Sequence, residues 1–202
     1  SGRLDLRGHS GDIYGLAFSP DARHLASAST DGTARIFNVK TGKLERTLRG
    51  HAGTVTSVAY SADGTRVVTG GADATIRIWP VEGGATIVLY GHSRAVNVVA
   101  FDASGHRVVS TGEDGTVRVW DAAGGEPLVI LHQYAIGNGA DVSGDGQQVV
   151  SQGGEGISND GVLRVIPCEV CGRFADALAL ARSRADRTLS ATDRQRLLGE
   201  QP

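Results

Sequence analysis

The sequence predicts an all-β fold made of repeated four-stranded antiparallel units. Sequence markers recur every 41 or 42 residues over the first 120 residues of the chain. Between them, short runs alternate β-branched with small or polar side chains, which is the period of a β-strand. A repeat of this length with four strands per unit indicates sheets that stack on one another and share a core. The markers are Gly8-His9, Gly50-His51 and Gly91-His92, then Asp31, Asp73 and Asp114, then Phe37, Trp79 and Trp120.

Each of the first three units contains four predicted strands, separated by turns that place Asp, Ser and Gly where hairpins need them. The units span residues 8–49, 50–90 and 91–131. The strands are predicted at 12–18, 23–28, 33–38 and 43–49, at 54–60, 66–70, 75–79 and 85–90, and at 95–101, 107–111, 116–120 and 127–131.

A fourth unit, residues 132–166, departs from this pattern. Its inner strand, 136–142, holds two glycines and Asp141 where the other units have apolar or small residues, and this weakens a strand. The third strand is predicted at 162–166, after a loop that is five residues longer than its counterparts. No outer strand follows Ile166, so the fourth unit needs a strand from elsewhere.

The recurring Gly-His, Asp and Trp positions, with a complete Trp120-Asp121 dipeptide, make residues 3–166 similar to WD-repeat β-propellers. The resemblance implies a β-propeller of four four-stranded blades, either a partial ring or half of a larger ring. In that family, strand exchange between the ends of the array closes the ring. The resemblance therefore implies that residues 3–7, which precede Gly8-His9 as 43–49 precede Gly50-His51, are the closing outer strand of the fourth blade.

The last segment, residues 167–202, is predicted to be a short helical extension. Apolar residues recur at helical spacing from Phe174 to Ala185, and Ser190 begins a second short helix. This tail resembles the C-terminal extension of large actinobacterial signalling proteins in which a STAND-class nucleotide-hydrolysing module precedes a WD-repeat propeller. Since the chain also begins without methionine, we expect it to be the C-terminal part of a larger bacterial signalling protein.

Cys168 and Cys171 form a single CxxC motif within this tail. A closed zinc site needs two further ligands, and the sequence has no second pair of cysteines, so we predict no metal and no cofactor. Reduced thiols, a disulfide and a shared metal all stay open as states of this pair.

Composition and charge argue against nucleic acid and membranes as partners. The 20 Lys and Arg residues are scattered without a basic stripe, and the formal net charge is −2. No apolar run approaches the roughly 18 residues of a membrane helix, and no signal segment is recognisable. We therefore expect a cytoplasmic protein with neither a nucleic-acid nor a membrane partner.

A set of His, Ser or Thr, and Asp recurs in the first three units and has the composition of a hydrolytic triad. The family resemblance implies instead a structural network in which Asp orients His, His meets the hydroxyl, and Trp adds an N–H. Repetition favours the network, because a catalytic site is normally single. The predicted network residues are His9, Ser27, Asp31, His51, Thr69, Asp73, Trp79, His92, Ser110, Asp114 and Trp120.

An arginine occupies the same place in every third strand, at Arg35, Arg77, Arg118 and Arg164. A stripe of arginines could bind phosphate. We expect instead that each aliphatic stem lies across a neighbouring blade while the guanidinium stays in water.

Loops at one end of the units are predicted to form a partner-binding face. They carry the residues that follow each Gly-His pair and those that precede each turn aspartate. Tyr and Arg are enriched among the residues that dominate interface energies, and this face contains both. The predicted face comprises Asp12, Tyr14, Thr30, Thr54, Thr56, Arg94, Asn97, Glu113, Asn138 and Asn159.

These features together predict a non-catalytic protein-interaction scaffold or sensor module, and not an enzyme. The partner is a protein that the sequence does not name, and self-association or additional blades would complete the ring. Two alternatives stay open: a hydrolase that uses Ser, His and Asp on the propeller face, and a small-ligand receptor in the central channel.

Overall fold

The computed structural model describes residues 4–132, 139–142, 148–152 and 163–167, and this part of the chain is all-β. Its strands form antiparallel sheets in which neighbouring strands follow one another in the sequence. The first sheet contains β1 (Ile13–Phe18), β2 (His24–Ser29), β3 (Thr33–Asn38) and β4 (Leu44–Arg49). The second contains β5 (Val55–Tyr60), β6 (Arg66–Gly71), β7 (Ile76–Pro80) and β8 (Ile87–Leu89). The third contains β9 (Val96–Phe101), β10 (Arg107–Gly112), β11 (Thr116–Asp121) and β12 (Pro127–His132).

The strands predicted for the first three units are confirmed, with ends that agree to within two residues. The hairpins between the first and second strands close on the Ser and Asp that the sequence places there. In the second sheet, the Ser61 hydroxyl donates to Asp63 at 2.5 Å, and the Thr65 N–H donates to the same carboxylate oxygen at 3.0 Å. These local bonds satisfy the turn backbone and fix the register of the hairpin.

The predicted count of four four-stranded blades is wrong for the described residues, in which three sheets have four strands and one has three. The last sheet contains β13 (Gly139–Val142), β14 (Gln148–Gln152) and β15 (Leu163–Pro167). Its inner strand begins at Gly139, and residues 136–138 of the prediction lie outside the described residues. The predicted tail beyond Pro167, with Cys168 and Cys171, lies outside them too.

Residues 4–7, most of the predicted closing strand 3–7, belong to no strand of the described part. They stay beside their own first sheet, where a Cβ added to Gly42 would lie 3.0 Å from a methyl group of Leu4. In this structure, residues 4–7 therefore do not pair with the fourth sheet of the same chain.

The core lies between successive sheets. The inner strand β5 packs between β1 and β9, and β13 packs beside β9, so the sheets follow one another face to face in chain order. The first junction buries Ala26, Ala28, Ala34, Ile36 and Leu48 of the first sheet against Val55, Val58, Val67 and Trp79 of the second. The second junction buries Val68, Ile76, Ile78 and Leu89 against Val96, Val99, Phe101, Val108 and Trp120. The third sheet turns Val109, Val117 and Val119 away from the second.

Each junction uses the same pattern of positions, and this is why the sequence repeats. One face of a sheet presents side chains to the sheet before it, and the other face presents side chains to the sheet after it. Both faces must therefore be apolar, which matches the β-branched runs of the sequence. Among the described residues, no helix is long and apolar enough to cross a membrane.

Candidate functional site

A buried hydrogen-bond network in the third sheet joins β10, β11 and the segment that precedes β9. Asp114 Oδ2 accepts a hydrogen bond from His92 Nδ1 at 2.9 Å, and His92 Nε2 accepts one from the Ser110 hydroxyl at 2.8 Å. Trp120 Nε1 donates to the same Ser110 oxygen at 2.8 Å. Because a carboxylate only accepts hydrogen bonds, we assign the ring hydrogen to Nδ1, and His92 is then neutral.

The second sheet repeats this network with threonine in place of serine. His51 Nδ1 lies 3.0 Å from Asp73 Oδ1, and His51 Nε2 lies 2.8 Å from Thr69 Oγ1. Trp79 Nε1 donates to Thr69 Oγ1 at 2.9 Å. The structure thus brings together the whole predicted set in two sheets.

The first sheet contains an incomplete version of the network. His9 Nδ1 lies 2.8 Å from Asp31, and His9 Nε2 lies 2.7 Å from Ser27 Oγ. Phe37 takes the place of Trp, and a phenyl ring has no N–H to donate. Its ring still packs against His9 with centroids 6.4 Å apart, so the apolar half of the contact is kept while the hydrogen bond is lost.

Glycines that the sequence analysis missed make room for the network. Gly112 precedes Asp114 by two residues, and a Cβ there would lie 2.6 Å from His92 Nδ1. Gly71 is equivalent in the second sheet, where a Cβ would lie 2.3 Å from His51 Nδ1. The available signal was a glycine at the same distance before the aspartate in two units.

The aspartate of each network accepts more hydrogen bonds than the His bond alone. Asp114 Oδ1 accepts the Thr116 hydroxyl at 2.7 Å and the Thr116 N–H at 3.0 Å, while Oδ2 accepts the Ser93 N–H at 3.0 Å. Burial by itself would raise the pKa of Asp114, but these bonds and His92 lower that pKa to about 2. Burial also opposes the shift at Asp73, whose bonds lower its pKa to about 2 as well.

The two histidines of the complete networks are held neutral. Burial lowers the pKa of His51 and of His92, and it outweighs the hydrogen bond and the charge of the paired aspartate, which raise the pKa. In the neutral form, Nε2 accepts the Ser or Thr hydroxyl, so the proton state and the hydrogen-bond pattern agree.

The expectation that the third-strand arginines keep their guanidinium groups in water is wrong for two of them. Arg118 lies 3.5 Å from Asp114 Oδ2, donates from Nε to Thr116 at 3.0 Å, and is only 12% exposed. Arg35 makes the same ion pair with Asp31 at 3.7 Å. The reason is the glycine before each His, since a Cβ on Gly91, at φ +155°, would lie 2.6 Å from Arg118 Nη1.

The triad-like geometry has no free nucleophile in the complete networks. Thr69 and Ser110 are fully buried, and each hydroxyl oxygen is engaged by both a His and a Trp. Ser27 has no Trp partner, and together with His9 it lines a cavity of about 460 Å³ on the open side of the first sheet. What these networks do chemically is tie strand ends together, each bond contributing on the order of 1 kcal/mol.

The predicted partner-binding residues divide into exposed and engaged side chains. Asp12, Tyr14, Arg94 and Glu113 are exposed, and Tyr14 is 65% accessible. Thr56 is half-buried, and its hydroxyl bonds the carbonyl oxygens of Gly70 and Val96, which ties β5 to β9. Three more residues are half-buried, namely Thr30, Thr54 and Asn97. The remaining two, Asn138 and Asn159, lie outside the described residues.

Thr30 also has a local role, because its hydroxyl oxygen accepts the Asp12 N–H at 2.9 Å. The structure therefore leaves four strongly exposed members of the predicted face, from the first and third sheets. No group of three His, Cys, Asp or Glu side chains that could hold a metal ion occurs in the part of the chain that the structure describes.

The sequence matches one protein family and short stretches of known proteins. The WD domain, G-beta repeat family matches residues 3–38, 42–80 and 83–121, more than half of the chain. Taf5, a subunit of the SAGA and TFIID complexes of Schizosaccharomyces pombe, is 48% identical over 40 residues, 20% of this chain and 6% of Taf5. Guanine nucleotide-binding protein β subunits of Oryza sativa subsp. indica and japonica are 49% identical over 35 residues, 17% of this chain and 9% of each subunit. The matched stretches thus cover less than a tenth of each relative.

Exchanging the aromatic residue between networks should change stability in opposite directions. We expect Trp120→Phe to lower the free energy of unfolding by about 0.5–1.5 kcal/mol, because Ser110 loses its N–H donor. Phe37→Trp should raise it by a similar amount, because the adjoining cavity leaves room for a donor to Ser27. Chemical denaturation of both variants measures this, and a loss of stability in both would contradict it.

Stability should fall on acidification in two stages. The folded pKa of His51 and His92 lies below the ordinary 6.5, so below about pH 6.5 the unfolded chain binds protons that the folded chain excludes. Between about pH 3.8 and pH 2, Asp73 and Asp114 add a further loss in the same direction. Thermal unfolding from pH 8 to pH 2 checks this, and a melting temperature that stays constant between pH 7 and pH 5 would contradict the first stage.

Proposed function

The chain belongs to the WD domain, G-beta repeat family, and from this premise we propose that it is a non-catalytic protein-interaction scaffold. The observation that carries the proposal is a rigid frame with an exposed loop face. Buried networks fix the loops in three successive sheets, while Asp12, Tyr14, Arg94 and Glu113 are left exposed at their ends. Rigid loops bind with little loss of conformational entropy, so such a face is suited to recognition.

The distribution of side chains on this face indicates how a partner would bind. The second sheet, which lies between the other two, contributes the small exposed residues Ala52, Gly53 and Ala72. The large side chains come from the flanking sheets, with Tyr14 on one side and Arg94 on the other. We propose that a partner protein lays its own side chains over the second sheet and is anchored by Tyr14 and Arg94.

Charge on the same face favours a partner with mixed polarity. Asp12 and Glu113 are acidic and exposed, and Arg94 is basic and exposed. A partner of one sign would meet repulsion from part of this set, whereas alternating charges would be matched. The signalling context and the cytoplasmic location stay predictions, carried by the tail resemblance and by the composition respectively.

The hydrolase alternative is supported by one observation only, the opening beside Ser27. Two complete networks and a third that lacks only the Trp donor favour a structural role, because each contributes to its own sheet. The small-ligand receptor has no described residue set of its own, and it stays an alternative to be tested by ligand-induced thermal stabilisation.

Truncating the two anchors should weaken partner binding without unfolding the chain. We expect the double variant Tyr14→Ala and Arg94→Ala to lose at least about tenfold in affinity for proteins that wild type retains from a cell extract, since anchors of this type are each worth 1–2 kcal/mol or more. Leu128→Ala is the matched control, since Leu128 is 51% exposed but lies on the outer strand β12. Quantitative mass spectrometry of the retained proteins measures the difference, and equal retention by all three proteins would contradict the proposed face.

A fluorophosphonate probe, which labels activated serines, should leave wild type unlabelled. His92→Ala should instead lower the free energy of unfolding by about 1–3 kcal/mol, because it leaves the Asp114 carboxylate and the Ser110 hydroxyl without their partner. An established serine hydrolase serves as the positive control for the probe. Labelling of wild type that disappears in Ser27→Ala would contradict the non-catalytic proposal and favour the hydrolase.

A further inference from the structure

The first sheet leaves one apolar face largely open, which we name the leading face: the exposed Ile13, Leu16 and Phe18, the half-buried Leu25, and Phe37, which is buried beneath them. Ile13, Leu16 and Phe18 are 46%, 63% and 62% exposed. The equivalent residues of the second sheet are Val55, Val58, Tyr60, Val67 and Trp79, and these pack against the first sheet. The third sheet uses Val96, Val99, Phe101, Val108 and Trp120 in the same way. The leading face is therefore one half of a junction that the chain forms elsewhere.

The fourth sheet leaves the other half of the same junction open. Val165 is 61% exposed, whereas the equivalent Ile36, Ile78 and Val119 are 2%, 1% and 1% exposed. Val150 is half-buried, although the equivalent Ala26, Val68 and Val109 are at most 1% exposed. We name Val150 and Val165 the trailing face. The first and the fourth sheets thus expose apolar side chains at positions whose equivalents are buried where two sheets pack together.

The unpaired edge of the fourth sheet adds an independent observation. Among the described residues, β15 pairs only with β14, and no outer strand like those of the other three sheets follows it. The outer strand of the first sheet, β4, directly precedes Gly50-His51, and residues 4–7 directly precede Gly8-His9 in the same way. Residues 4–7 form no strand, and Leu6 borders the cavity that Ile13 and Leu16 also line. A strand-like segment without a sheet therefore lies next to the leading face.

We propose that the leading face of one copy of this chain packs against the trailing face of a second copy, head to tail. In this arrangement, residues 4–7 of each copy extend along β15 of the other and complete its fourth sheet. The contact is the junction that already joins the first sheet to the second and the second to the third, so its shape and chemistry are those the chain has built internally. Each copy carries both halves, and two copies satisfy both.

A head-to-tail contact closes only when its rotation brings the last copy back to the first. Two copies bring together eight sheets, which is within the range of four to about eight blades in known propellers. Closure would cover the exposed leading face and pair the open β15 edge, and both features are otherwise liabilities for non-specific association.

The test is the mass of the full chain in solution, measured by light scattering after size separation. We expect twice the mass of one chain for wild type and the mass of one chain for Leu16→Asp and for Val165→Asp. Both side chains are exposed within a single copy, so these variants keep the fold, whereas a buried aspartate in the junction should weaken association at least about a hundredfold. Leu128→Asp is the matched control and should keep the mass of wild type.

Mixing the two variants distinguishes head-to-tail contact from other modes. An equimolar mixture of Leu16→Asp and Val165→Asp keeps one intact junction, so we expect it to regain a species of two chains that neither variant forms alone. Circular dichroism of each variant establishes that the sheets are retained. The proposal would be overturned if wild type had the mass of one chain, or a mass greater than that of two chains. It would also be overturned if Leu16→Asp still had the mass of two chains.

Discussion

Face-to-face packing between successive sheets is the interaction on which the rest of this structure depends. A four-stranded sheet of this kind has two apolar faces, and neither can remain in water without loss of the hydrophobic contribution to folding. Ile78 illustrates the point, because it belongs to one sheet and is buried by the inner strand of the next. Each sheet in the described part of the chain therefore depends on its neighbours to bury its apolar faces.

The buried networks act within that frame by fixing strand ends that packing alone would leave free. His92, in the segment before β9, bonds to Ser110 on β10 and to Asp114 in the turn between β10 and β11, and Trp120 reaches the same Ser110 hydroxyl from β11. Since the partners are buried, breaking any one bond leaves a polar atom unsatisfied, which makes the geometry unique. The ion pair of Arg118 with Asp114 shows that the network also recruits a charge.

Differences between the sheets are as informative as their repetition. The first sheet has Phe37 instead of Trp, leaves its junction face exposed, and has a cavity where a neighbouring sheet would lie. In the part of the chain that the structure describes, the fourth sheet has three strands and exposes Val165. Both departures fall at the ends of the row, whereas the second and third sheets have complete networks and buried faces.

The sequence by itself determined the fold class, the strand positions of three sheets and the members of each network, because these follow from periodicity and from residues that recur in phase. Only the tertiary structure decided which of the predicted face residues are exposed. Thr56 is an example, since its hydroxyl bonds a carbonyl of the next sheet, a contact between residues forty positions apart. It also decided that Arg118 joins the network and that residues 4–7 form no strand. These three features depend on the distance between neighbouring sheets and on whether a sheet edge is hydrogen-bonded to another strand. The local pattern of residues determines neither of them.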